Sequence, residues 1–154
     1  MRGCILEILA AAVLVAFVVG CSRTPTIRPS YQQVVGQVTS GKLAPDEYGV
    51  IRLPAELSST SVDGKVYVSK STSGSLLILF RTWRGKGSNL QGYLYCSAPL
   101  SAADTQKDYY GRTVIDLNGP VIHGPPGTTP ISRFECVLDK AIASNWYLVH
   151  YDLD

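Results

Sequence analysis

Leu57–Phe80 reads LSSTSVDGKVYVSKSTSGSLLILF. Within it Lys65–Lys70 alternates, with Val66 and Val68 on one side and Lys65, Tyr67 and Ser69 on the other, the period of two that marks a strand. Asp63-Gly64 is a dipeptide that readily supplies positive φ in a type I′ turn, so Leu57–Val62 and Lys65–Lys70 are predicted to pair as a hairpin. Ser71–Gly74 reads as a second turn. Leu76, Leu77, Ile78, Leu79 and Phe80 follow without a polar residue, as in a strand covered on both faces.

The same rhythm extends in both directions. Upstream, Tyr48–Leu53 is a short run stopped by Pro54. Downstream, a turn over Arg84–Asn89, with Gly85 and Gly87, leads into Leu90–Ala98, where Leu90, Leu94 and Cys96 alternate with Gln91, Tyr93 and Tyr95. Thr113–Leu117, Ser132–Leu138 and Trp146–Tyr151 complete the set, and Asp139–Ser144 is read as one helical turn. Between them Gly119–Pro130 carries four prolines and three glycines, which excludes a central strand. Seven or eight short strands with almost no helix predict an all-β fold: a single antiparallel β-sandwich, or a small barrel, over residues 48–154.

Ahead of this domain, residues 21–47 are rich in Ser, Thr, Gln, Gly and Pro, and read mostly as a flexible tether. Val34, Val35 and Val38 offer the alternative of a first strand, with the domain starting near Tyr31. The 154 residues carry a net charge of only +2, which makes no electrostatic case for nucleic acid.

The first 20 residues have a different character. Met1, Arg2 and Gly3 precede an unbroken apolar run, Ile8–Val19, which as a helix spans roughly 18 Å of the roughly 30 Å of bilayer hydrocarbon. A signal peptide fits this length better than an uncleaved anchor over Cys4–Val19. Val18, Val19, Gly20 and Cys21 resemble the lipobox of bacterial lipoproteins, although Glu7 and the single basic Arg2 depart from an ideal signal. The resemblance covers residues 1–21 alone. It implies cleavage before Cys21, acylation of Cys21 and a lipid anchor in the cell envelope. With Ser22 next, it also implies sorting to the outer membrane, facing periplasm or cell surface.

Cys96 and Cys136 remain once Cys4 is removed and Cys21 is acylated. Each lies on the apolar phase of its strand, and an oxidising compartment would let them form a disulfide. Closing that loop of about 40 residues is worth about 4 kcal/mol on the chain-entropy model. No CxxC, GxSxG, HExxH, Walker loop or dinucleotide fingerprint occurs, which lowers the case for an enzyme. His150, Asp152 and Asp154 share a phase that could present metal ligands, but chain ends usually fray, and no metal or other cofactor is expected. His123 sits in the proline-rich loop as an ordinary exposed histidine.

Arg81, Trp83, Arg84 and Lys86 cluster around Gly85 and Gly87, a turn whose amides and cations suit an anion. Trp83, Tyr93, Tyr95, Trp146, Tyr147 and Tyr151 supply rings of the kind that stack on sugars, or simply pack a sheet. The expectation is a membrane-tethered envelope lipoprotein with a non-enzymatic binding domain, its partner an anionic envelope component or another envelope protein. The alternative is a hydrolase or a carbohydrate-active or carbohydrate-binding domain, its site assembled from distant strands.

Overall fold

Val66 faces Ile51 across one antiparallel ladder and Phe80 across another, and such pairings run through eight strands. The computed structural model describes residues 27–84, 89–117 and 134–152. The strands are β1 (Val50–Arg52), β2 (Lys65–Lys70), β3 (Leu76–Arg84), β4 (Asn89–Cys96), β5 (Thr105–Lys107), β6 (Thr113–Leu117), β7 (Phe134–Ala143) and β8 (Trp146–Asp152). They form one antiparallel sheet in the order β1-β2-β3-β4-β8-β7-β6-β5. β1 and β5 are its two edges, so the all-β fold is sandwich-like and open, and it is not a closed barrel.

Both faces of the sheet are buried. Ile78 and Phe80 point to one core, and Leu77 and Leu79 to the other, so the apolar run is covered on both sides as its composition predicts. The first face is covered by the helix α1 (Pro29–Thr39). Its Tyr31, Val34, Val35 and Val38 recur at helical spacing and pack on Val66, Ile78, Phe80 and Trp146. Tyr31 stands edge-on to Phe80, with ring centroids 5.0 Å apart.

The second core joins Leu77, Leu79, Leu94, Cys96, Ile115, Leu117, Cys136 and Val149. Cys96 and Cys136 lie on strands either side of β8 and near its opposite ends, since Cys96 N donates to Asn145 O while Val137 pairs with His150. They share one cluster because the twisted sheet coils over, its strands closing on their own second face.

Four local expectations are corrected. Residues 29–39 are neither tether nor strand: Pro29 starts a helix, where its missing N–H costs nothing, and four apolar side chains on one stripe dock it. Leu57–Val62 is not a strand. It holds a short 3-10 turn (Ser58–Thr60), and β2 pairs with β1 instead. Gly64 has φ +65 but is the only residue of the Asp63-Gly64 pair with positive φ, and a type I′ turn needs two. Asp63 instead folds the loop by accepting from Ser61 Oγ and Lys65 N. Asp139–Ala143 continues β7 through two register shifts, and Asn145, at φ 66, makes the tight turn to β8. Finally, Cys96 and Cys136 are free thiols, not a disulfide.

Cys21 and the signal, Lys86, Gly119–Pro130 with its His123, and Asp154 lie outside the described residues.

Candidate functional site

Arg81 and Trp83 are strand residues of β3, and the ladder to β4 separates them. Arg81 pairs with Gly92 and Trp83 with Gln91, leaving Thr82 as the extra residue of a bulge. Gly92 permits the close approach: a Cβ there would meet the Phe80 carbonyl oxygen at 2.5 Å. The bulge shifts the phase, so Trp83 shares the face of Tyr93 and Phe80, while Arg81 shares that of Leu79.

Arg81 turns to its own face. Its Nη1 donates to Asp63 Oδ2 at 3.2 Å, and its guanidinium lies 4.3 Å from the centre of the Tyr67 ring. Tyr67 Oη also donates to that carboxylate oxygen, at 2.8 Å. Burial works against the Asp63 charge, but the Tyr67 and Ser61 hydroxyls and Arg81 outweigh it and hold the carboxyl below its ordinary pKa. These contacts tie β3 to the loop before β2. Arg84 pairs with Leu90, and its side chain lies outside the description.

On the helix-covered face, a polar cleft of about 240 Å³ opens between the start of α1, residues 59–62 and the strands β3 and β4. Arg28, Tyr31, Ser59, Arg81, Thr82 and Tyr93 are among its lining residues. Three local features build it. Val62 N donates to Arg81 O, so the chain continues beside β3 where β2 has not yet begun. Thr60 Oγ1 donates to Leu57 O and closes the 3-10 turn. Tyr31 and Tyr93 meet edge-on with centroids 5.5 Å apart. Burial pushes the Tyr31 phenol above its ordinary pKa, Tyr93 adds to this, and the Arg28 guanidinium opposes it.

Beyond Tyr93 on this face the ladders set Trp83, Gln91 and His150 side by side on β3, β4 and β8. Trp83 is 53% exposed, whereas Trp146, under the helix, is 3% exposed. His150 Nδ1 lies 2.7 Å from Asp139 Oδ1, the carboxylate at the β7 register shift; His150 is half-buried and Asp139 exposed. A carboxylate at that distance orients the imidazole ring.

The structure therefore brings Trp83, Tyr93 and His150 to one face, leaves Arg81 in the cleft wall paired with Asp63, and buries Trp146 in the helix-side core. Sequence reasoning missed Arg28, Gln91 and Asp139, which come from segments read as tether, plain strand and helical turn. The period of β4 places Gln91 in phase with Tyr93, though without marking it as functional; Arg28 and Asp139 carry no such signal. Among the described residues, no three His, Cys, Asp or Glu side chains converge as a metal site would require. Comparisons with protein-family models, curated proteins and solved structures find no match to this chain.

Proposed function

We propose that the chain is a lipid-anchored envelope protein whose β-domain is a binding module, not an enzyme. The lipobox-like Val18–Cys21 supports the anchor. The observation that carries the binding reading is the surface beside the α1 start. There a sheet otherwise buried on both faces leaves an indole, an amide and a polar cleft in water. Exposed aromatic groups with convergent polar neighbours are what recognition sites use. In the parent bacterium, Cys21→Ser should abolish fatty-acid labelling and leave the precursor unprocessed. Normal processing and labelling of that variant would reject the anchor.

A hydrolase is the second reading, favoured by the 2.7 Å His150–Asp139 contact, since a carboxylate-oriented imidazole is the usual general base. On the binding reading, ligand recovered after incubation is chemically unchanged. Turnover that His150→Ala abolishes would establish the hydrolase instead.

A further inference from the structure

We infer that the cleft and the row of Trp83, Gln91 and His150 together take a saccharide bearing an anionic group, a carboxylate or a phosphate. The inference rests on the binding-module reading and names its ligand class.

Shape and polarity point to a sugar. A pyranose has C–H-rich faces and a rim of hydroxyls, so its site needs a flat ring beside planar hydrogen-bonding groups. Trp83 supplies the flat ring, half exposed where α1 does not cover the sheet. Gln91, its ladder partner, supplies a carboxamide with both donor and acceptor, and His150 is the next residue across. Antiparallel neighbours of this kind lie about 5 Å apart, so the three span roughly 10 Å, enough for one to two sugar rings. Thr82, the bulged residue, and Tyr93 line the cleft that opens beside this row.

Charge points to an anionic group. None of the residues lining the cleft is acidic, and two are cations: Arg28, which is exposed, and Arg81, whose guanidinium is paired with Asp63. At about 240 Å³ the cleft is below the roughly 300–1,000 Å³ of sites that enclose drug-sized ligands. It therefore accepts a substituent or a single ring, while the rest of a glycan lies along the row. A guanidinium recognises carboxylate and phosphate alike by paired N–H donors. Because Arg28 is in water, its preference for the anion is modest and screened by salt.

Tryptophan fluorescence of the full chain in detergent tests this directly, since Trp83 is exposed and Trp146 is buried. Cellobiose, cellobiouronate, cellobiose phosphate and inorganic phosphate serve as probes. Both acidic sugars should give a saturable change, half-complete at about 5-fold lower concentration than for cellobiose in low salt, with the gap closing near 0.5 M salt. Trp83→Ala, its fold checked by circular dichroism, should lose the response. Arg28→Gln should bring acidic and neutral sugars level. A larger response to one acidic sugar identifies the carboxylate or the phosphate as the preferred group. No saturable response to any sugar, or one that Trp83→Ala retains or that inorganic phosphate alone reproduces, would overturn the inference. Retention of the chain on isolated envelopes separates the two levels. Trp83-dependent retention without a sugar response leaves the module standing with another ligand, whereas loss of both removes the module itself.

Discussion

Asp104 is a 4% exposed carboxylate that joins two loops. Its Oδ2 accepts from Ser101 N at 2.9 Å and Ser101 Oγ at 2.6 Å, and its Oδ1 accepts from Ser73 N at 2.8 Å. The Ser101 hydroxyl and amide, with Ser73, outweigh burial and hold the carboxyl far below its ordinary pKa. A depressed folded pKa contributes stability above the unfolded value, near 4, and loses it as pH falls toward the folded one. Urea midpoints should therefore fall below about pH 5, and Asp104→Asn should lower the neutral-pH midpoint while flattening the acid slope. An unchanged slope would show that the carboxylate is not the titrating group. The cysteines give a second residue-scale test. Burial pushes the Cys96 thiol up to about 12 and raises that of Cys136 as well, so neither is a nucleophile at neutral pH. In protein isolated without reductant, peptide mass spectrometry should find both unalkylated when folded and alkylated after unfolding. A Cys96–Cys136 linked peptide would contradict this. Their inward phase is legible in the alternation of Leu94 with Cys96 and of Cys136 with Leu138, but whether two sulfurs meet depends on sheet coiling, which no local pattern encodes.

At the scale of elements, α1 is the part that composition concealed. Only Tyr31, Val34, Val35 and Val38 of its 11 residues are buried, and the polar residues between them give the segment the look of a linker. The informative feature is the spacing, which returns the four to one side of a helix and is wrong for a strand. Val34 is fully buried against the sheet, so Val34→Ala should cost about 1–3 kcal/mol by chemical denaturation, and Val34→Asp should prevent folding. A tether in that place would tolerate both without effect. The strands β2 and β4 were legible from their alternation, β3 from its unbroken apolar run, and β6 and β8 as short runs of β-branched and aromatic residues. β5 was not, being three residues of mostly polar edge. The bulge at Thr82 was equally hidden: one extra residue reverses which side chains face outward, and its cause, Gly92, lies on the neighbouring strand.

Over the whole molecule, one antiparallel sheet supplies both layers of its second core, and a single helix supplies the cover of the first. The candidate site lies where that helix begins, built from α1, the 59–62 segment, the ends of β3, β4 and β8, and the register shift within β7. Residues so far apart in the chain do not form a motif, which is why the run Arg81–Lys86 pointed to a compact basic turn, whereas its described part enters the site as Arg81 and Thr82 in the cleft wall and Trp83 beside it. The central claim is that this surface is where the domain meets its ligand in the envelope. Photo-crosslinking in living cells tests it most directly, with a photoreactive residue at position 83 or 91, and at exposed Ala141 and Ser144 as controls at the far end of β7. The account predicts adducts from 83 and 91 and none from 141 and 144. Adducts from 141 or 144 with none from 83 or 91 would contradict it.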